Sequence, residues 1–249
     1  YDKVSPPVPT AEVRGWLAKL AELKTEIVTL SGGEPMLHPD VEQLIACIRE
    51  HRMIAGLITN GYFLQRERIE RLNEAGLQYL QISIDNIRPD AVSKKSLAVL
   101  DSKLENLARY ATFQVNVNSV LGGGCRDPED ALAIARRAKE LGFSTSLGII
   151  HDGAGHLTPL GDRERAIYDE VVAISAGVYT RINRFQQNLV EGKPNDWACR
   201  GGARYLYVCE QGLVHYCSQQ RGYPGIPLLD YTRDDIARDM NFADEKDYL

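Results

Sequence analysis

The sequence predicts an α/β protein built on a parallel sheet, and two observations carry that expectation. Five short apolar runs rich in β-branched residues begin near Glu26, Ala55, Gln78, Phe113 and Ser144. Their starts lie 29, 23, 35 and 31 residues apart, which leaves room for a crossover helix and its loops each time. The segments between them carry apolar residues at helical spacing. Repeated βα units make either an open doubly wound sheet or a barrel. In both, functional residues collect where strands run out at their C-terminal ends.

Taken in order, Val13, Trp16, Leu20 and Leu23 trace the first helical face, ahead of the run EIVTL. That run ends in Ser31-Gly32-Gly33-Glu34. Val41, Leu44, Ile45 and Ile48 form the next face, before AGLIT and the turn Thr59-Asn60-Gly61. The run QYLQISI ends in Ser83, Asp85 and Asn86. Leu97, Leu100, Leu104, Leu107 and Ala111 step by three and four, and FQVNVNSV follows with Asn116, Asn118 and Ser119. Asp127-Pro128-Glu129-Asp130 reads as a helix start with acid in its first turn. Leu132, Ala135, Ala138 and Leu141 give that helix its face, and Gly142 its stop. The fifth run, STSLGII, leads into His151-Asp152-Gly153. Five strand ends converging on polar residues say more than any one of them.

Beyond about Gly155 the pattern changes. Asp162 to Gly192 reads as one or two helices, and RYLYVCEQGLVHYC reads as a β-hairpin turning at Glu210-Gln211-Gly212. The expected organisation is a barrel-like unit over 1–158, a helical linker over 159–196 and a small β-hairpin-containing extension over 197–249.

Composition narrows the functional classes. The 249 residues are 44% hydrophobic and 25% charged, with 29 Lys+Arg against 34 Asp+Glu and a net charge of −5. This is a globular composition. Mild acidity with mixed signs argues against a nucleic-acid surface. No apolar stretch approaches the ~20 residues that span a bilayer, so no membrane partner is expected. Tyr1-Asp2-Lys3-Val4-Ser5-Pro6-Pro7 resembles neither a signal nor a transit peptide, and lacks an initiator Met, as in a chain begun part-way into a longer protein. Five cysteines, an odd number, fit a reducing, cytoplasmic compartment better than a secreted disulfide framework.

The sharpest motif is Leu30-Ser31-Gly32-Gly33-Glu34-Pro35. Two glycines at a strand end let the backbone approach a ligand closely. Glu34 offers a carboxylate for an ammonium, and Pro35 stops the strand. The plain alternative is a tight βα turn with a solvated glutamate. Context favours the ligand. GGEP after a strand, then TNG (Thr59, Asn60, Gly61), SID (Ser83 to Asp85) and NVNSV (Asn116 to Val120) resembles the radical S-adenosylmethionine (radical SAM) superfamily, over roughly Thr10 to Ile150.

That resemblance implies a partial (β/α)6 barrel, without its first strand in these residues, that binds SAM across the strand ends. It implies that Glu34 receives the methionine ammonium, with the Gly32 and Gly33 backbone assisting. Ser83 and Asp85 would lie near the SAM methionine and ribose. Asn118, with Ser119 beside it, would contact the ribose or carboxylate, and Thr59 and Asn60 would line the same mouth.

The extension carries a second resemblance. Cys199, twelve residues, Gly212, four residues, then Cys217 resembles the opening half of a SPASM or twitch domain, with Gly202 three residues after Cys199 and Gly225-Ile226-Pro227 after Cys217. The resemblance implies an auxiliary [4Fe–4S] cluster held by Cys199 and Cys217. Thiolates at a hairpin's base and end can meet at one soft metal centre. Two cysteines of a small β core are the alternative.

The other candidates read more plainly. Cys47, on an apolar helical face, and Cys209, within the hairpin, are expected to be structural. Cys125 follows Gly122-Gly123-Gly124 as a loop cysteine, and His151, Asp152 and His156 as a polar loop. His38 is expected to cap a helix start, His51 to suit a helix end, and His215 to approach the auxiliary site.

One departure from the family is plain. The Cys-x3-Cys-x2-Cys loop that holds the catalytic [4Fe–4S] cluster does not occur in these residues. The expected function is reductive SAM cleavage to a 5′-deoxyadenosyl radical for hydrogen abstraction, with the core-cluster ligands outside this chain. The implied partners are a peptide or cofactor-precursor substrate and an electron donor such as flavodoxin or ferredoxin. Two rivals follow from the same residues. One is a cluster-less SAM-fold binding protein or partner subunit. The other is a metal-independent barrel enzyme using Glu34, Asp85 and His151 as acid–base groups.

Overall fold

The computed structural model describes residues 6–123, 127–150, 159–175, 187–188, 190–191, 193, 200–218 and 221–241. Helix α1 (Thr10–Glu22) leads into β1 (Ile27–Leu30), a 3-10 turn (Pro35–Leu37) and α2 (Val41–Glu50). Then follow β2 (Ile54–Thr59), α3 (Arg66–Glu74), β3 (Tyr79–Ser83), α4 (Leu97–Tyr110), β4 (Gln114–Leu121), α5 (Glu129–Glu140), β5 (Ser144–Ile149) and α6 (Asp162–Ile174). The five strands pair in parallel in the order β1-β2-β3-β4-β5. That order settles the choice the sequence left open. A doubly wound sheet reverses its strand order at a switch point, whereas a barrel adds each strand beside the last. The sheet is an open, partial barrel.

Its two faces are built differently. Val28, Leu30, Ala55, Leu57, Leu80, Ile82, Ile84, Val115 and Val117 pack into one core with α1 to α4, which contribute Leu17, Val41, Leu44, Ile45, Ile48, Ile69, Leu72, Leu100, Leu104 and Leu107. Each fully buried Val, Leu or Ile among them contributes roughly 1.5–3 kcal/mol by leaving water. Leu121 and Leu147 continue that face into a second cluster with Leu132 and Ala135 of α5 and Ile167, Tyr168 and Val171 of α6. The residues alternating with these along β3, β4 and β5 include Gln81, Ser83, Asn116, Asn118, Ser144 and Ser146, with Tyr79, Gln114, Val120 and Gly148 in the same rows. Strand alternation puts them together on the opposite, inner face. Parallel sheets are ordinarily apolar on both faces, so a polar inner face marks a lumen.

The C-terminal residues form a second sheet, β6 (Tyr207–Val208), β7 (Leu213–His215) and β8 (Pro224–Pro227), antiparallel in that order. A 3-10 turn (Leu228–Asp230) and α7 (Arg233–Asn241) follow. The expected hairpin is there; the third strand, through Gly225-Ile226-Pro227, is an addition to it. Val214, Leu228 and Tyr231 pack with Leu23, Trp16 and Leu20 of the α1 region. Leu20 also packs against the barrel core, so α1 holds both sheets.

Gly212 makes that junction possible. It turns the hairpin at φ +72°, and a Cβ there would stand 2.7 Å from the Trp16 ring. Gly212→Ala is therefore expected to lower stability by about 1–3 kcal/mol. Urea denaturation with limited proteolysis checks this, and the extension should be cut faster than the barrel.

Candidate functional site at the strand ends

Glu34 is the centre of the mouth. Its extended backbone (φ −149°, ψ 105°) leaves β1 and starts the 3-10 turn, whose Met36 N–H donates to Oε1 at 3.0 Å. The Thr59 hydroxyl donates to the same oxygen at 2.7 Å, and the Asn60 N–H donates to Oε2 at 2.7 Å. Thr59 is 3% exposed and its Oγ1 also accepts the Gly61 N–H at 3.1 Å. Gly61 is obligatory at φ +82°, because a Cβ would run into Ile82. A carboxylate offers about four lone-pair positions, and three are used here. The ends of β1 and β2 are thus clamped to each other through a carboxylate that keeps room for one more donor.

The glycines of the motif fit a close approach. Gly32 stands at φ +132° with nothing within 4 Å of where a Cβ would lie, and both Gly32 and Gly33 are exposed. Gly32, Gly33, Glu34, Thr59 and Asn60 are brought together.

Ser83, the last residue of β3, and Asn118, within β4, are cross-strand partners. Asn118 accepts the Ser146 hydroxyl on Oδ1 at 2.8 Å, and its amide NH2 lies on the side of Gly148, whose missing side chain leaves space there. Behind it runs a polar ladder. Asn116 Nδ2 donates to Ser146 at 2.7 Å and to Gln81 Oε1 at 3.5 Å, and Ser144 donates to Asn116 Oδ1 at 3.2 Å. Asp85 is held by the loop that follows it: Ser93 donates to Oδ2 at 2.7 Å, and the Lys95 ammonium lies 2.9 Å from the same oxygen. The Tyr62 hydroxyl donates to the Lys94 carbonyl at 2.6 Å, tying this loop to the Thr59-Asn60-Gly61 turn.

Ser119 is placed elsewhere. It alternates with Asn118, is 0% exposed, and stands on the helix-facing side with Val117 and Leu121. The structure does not bring it to the mouth.

In the extension, Cys217 is a half-buried free thiol. Cys199 lies outside the described residues, as do Cys125, His151, Asp152 and His156. Cys47 and Cys209 are buried, as expected of structural cysteines. His215 is 3% exposed; burial, aided by the Arg221 guanidinium, holds its imidazole below the ordinary range. Its Nδ1 accepts the Gly222 N–H at 2.8 Å. Among the described residues no group of three metal-ligating side chains occurs.

A buried carboxylate braces this region. Asp239 of α7, 1% exposed, accepts the Tyr216 hydroxyl at 2.8 Å. The Tyr231 hydroxyl lies 2.8 Å from Asp239 and 3.0 Å from the Gly202 carbonyl. Gly202, at φ +85°, has no room for a side chain beside the Tyr216 ring. The chain three residues after Cys199 and the residue before Cys217 are therefore tied to one buried acid.

The fold and site define a parallel partial barrel with a glycine-flanked carboxylate at its strand ends and an amide-rich inner wall, at the end of the barrel where functional residues collect. Residues 2–155 match the family model of the Radical SAM superfamily, and the chain belongs to that superfamily, whose members bind SAM and a [4Fe–4S] cluster. It is 36% identical over 144 residues to a GTP 3′,8-cyclase of Aquifex aeolicus, covering 53% of this chain and 43% of that protein. It is 29% identical over 241 residues to a PqqA peptide cyclase of Methylocella silvestris, covering 90% of this chain and 62% of that protein. The chain thus spans less than two thirds of either relative. The fold is shared with Streptococcus suis SuiB in the structure bound to the precursor peptide SuiA (TM-score 0.61, 13% identity, 93% of this chain and 56% of that one). No helix among the described residues is long and apolar enough to cross a membrane.

Sequence reading passed over Gln81, Ser146, Lys95 and Asp239, and placed Asn116 at a strand end without giving it a role. The period-two polar positions in QIS, NVNS and STS were the available signal for the inner wall. Asp239 gave none, since DDIARDMN reads as a solvated helix. For the mouth itself, Thr59→Val is expected to cost about 1–3 kcal/mol, because it strands the buried Gly61 N–H and removes a donor to Glu34. The shift of the urea midpoint, at unchanged slope, measures it.

Proposed function

We propose that the protein is a radical SAM enzyme acting on a peptide or cofactor-precursor substrate, with SAM seated across the ends of β1 to β4. The single observation that carries this is the Glu34 carboxylate, pinned by Thr59 and Asn60 at the strand ends with one acceptor position left. Glu34 binds and orients the methionine ammonium, and the Gly32-Gly33 backbone admits it closely. Asn118 donates its amide to the ribose or carboxylate, and Ser83 and the Lys95-paired Asp85 complete that side. Gln81, Asn116 and Ser146 present a polar wall to the substrate deeper in the lumen. The names of the relatives, a peptide cyclase and a nucleotide cyclase, support the two substrate classes.

The catalytic cluster has no ligand set in these residues, since no Cys-x3-Cys-x2-Cys occurs in them. When bound, a reduced [4Fe–4S] cluster supplies the electron that cleaves SAM to methionine and a 5′-deoxyadenosyl radical for hydrogen abstraction. A flavodoxin- or ferredoxin-type donor in the cytoplasm would feed it. We read 1–158 as the barrel, 159–196 as a linker and 197–249 as the extension, in which Cys199 and Cys217 would hold an auxiliary cluster. Of that pair, Cys217 is a free, half-buried thiol, and Cys199 lies outside the described residues.

Glu34→Gln is expected to weaken SAM binding about tenfold to a hundredfold, the worth of one charge-assisted hydrogen bond. Isothermal titration calorimetry measures it, and unchanged affinity would refute the assignment. Expressed from its natural reading frame and reconstituted anaerobically with iron and sulfide, the protein should release 5′-deoxyadenosine from SAM under dithionite. SAM bound to the loaded protein without that product sinks the radical reading in favour of a binding protein.

A further inference from the structure

The hydrogen bonds of the inner wall run one way. The Ser146 hydroxyl gives its one proton to Asn118 Oδ1 at 2.8 Å, so its oxygen can only accept from Asn116 Nδ2, at 2.7 Å. Asn116 Oδ1 faces the Ser144 hydroxyl at 3.2 Å, which also reaches the Val115 carbonyl at 3.1 Å. The Asn116 amide then extends to Gln81 Oε1, a longer contact of 3.5 Å. Asn116 is 5% exposed, and these partners fix which way its amide faces. Gln81, half-buried beside it, turns its oxygen toward Asn116, and its Nε2 donates to nothing among the described residues.

The surroundings of that NH2 are neutral. None of the inner-row residues of β3, β4 and β5 bears a charge. On the β2 side Gln81 is paired with Ile58, which offers no polar group. The first carboxylate beyond β3, Asp85, is matched by Lys95 at 2.9 Å. A carboxylate or phosphate brought against this stretch would leave water without a counter-charge, and a desolvated charge costs far more than a desolvated carbonyl. A cation would meet N–H donors. An uncharged oxygen acceptor is the group that suits the wall. Gln81 lies two residues before Ser83 along β3, about 6–7 Å deeper than the Ser83–Asn118 pair.

We propose that Gln81 is a specificity-determining residue of the substrate site: its Nε2–H donates to a neutral carbonyl oxygen of the substrate, as in a peptide bond or lactam, and Asn116 is the positioning residue that aims it. The proposal deepens the radical SAM reading and rests on it, since SAM at the Ser83–Asn118 row is what brings the reacting part of a substrate to this depth. Of the two substrate classes, a peptide fits this wall, and a precursor turning phosphate toward the strands does not.

The test uses the anaerobically reconstituted, oxidised protein with SAM bound, in parent, Gln81→Met, Gln81→Glu and Asn116→Asp forms. Three small probes are titrated: N,N-dimethylacetamide, a neutral carbonyl with no N–H, acetate, and methylammonium. Their dissociation constants are read by saturation-transfer nuclear magnetic resonance of the probe methyl groups. Dimethylacetamide should bind the parent more tightly than either charged probe. Gln81→Met should weaken it about twofold to tenfold, the worth of one neutral hydrogen bond, and Gln81→Glu at least as much. An ionised carboxylate at position 116 cannot donate, whereas a protonated one can. In Asn116→Asp, dimethylacetamide binding should therefore be weak at high pH and recover as the pH falls and the introduced carboxyl takes up its proton, while the parent stays level. Unchanged affinity in Gln81→Met, acetate or methylammonium bound as tightly as dimethylacetamide, or no dimethylacetamide binding at all would overturn the assignment of Gln81. A pH-independent Asn116→Asp would overturn the positioning role of Asn116. Should that variant fail to fold, the two Gln81 variants decide. A parent that takes up no SAM by calorimetry sinks the SAM reading itself, and this inference with it; SAM uptake without a probe response sinks this inference alone.

Discussion

The structure depends on a parallel sheet whose helix-covered face is largely apolar and whose other face is largely polar along β3 to β5. Helices α1 to α6 supply apolar stripes for that face, and the alternate positions along each strand are then free of the need to be apolar. Because successive strands add beside one another and the helices stay on one side, the uncovered face curves into a lumen. Polar residues in the middle of a sheet would ordinarily be a liability. Here Gln81, Asn116, Ser144, Ser146 and Asn118 satisfy one another in a ladder. The wall can therefore exist before any ligand arrives, and still present amide donors to one.

The Glu34 junction shows how the same economy works at the strand ends. In the unliganded fold the carboxylate already has a structural task, joining the loop after β1 to the turn after β2. A group held by neighbours in this way loses little further freedom on binding, so preorganisation favours affinity. The cost falls on the loops. Gly61 must be glycine, and Gly32 sits where L side chains rarely go.

Much of this was legible in the sequence because strand and helix periodicities are local properties. The run beginning near Glu26 becomes β1 at Ile27–Leu30, and the run beginning at Ser144 becomes β5. Which face a strand residue takes is not local. Asn118 and Ser119 are adjacent and equally polar, and only the packing of Val117 and Leu121 against helices decides that Ser119 is the buried one. The third strand of the extension escaped for a similar reason. Pro224 and Pro227 bound it, and proline argues against a strand until an edge position is known to be on offer. Asp239 was illegible because its partners, Tyr216 and Tyr231, are distant in the chain and its own neighbours are charged.

The two sheets also bear on each other. Leu20 of α1 packs against both, and Trp16 lies over the turn at Gly212, so the barrel's first helix forms part of the floor of the extension. On the far side of that floor, Asp239 gathers Tyr216, Tyr231 and Gly202 into one buried network. A carboxylate taken out of water must be compensated by its hydrogen bonds, and removing one partner leaves the rest uncompensated. The network thus resists any rearrangement that would separate the residue before Cys217 from the chain leading back to Cys199. A region that needed only a packed hairpin would not require a buried acid. One that must hold two chain segments at a fixed spacing has a physical use for it.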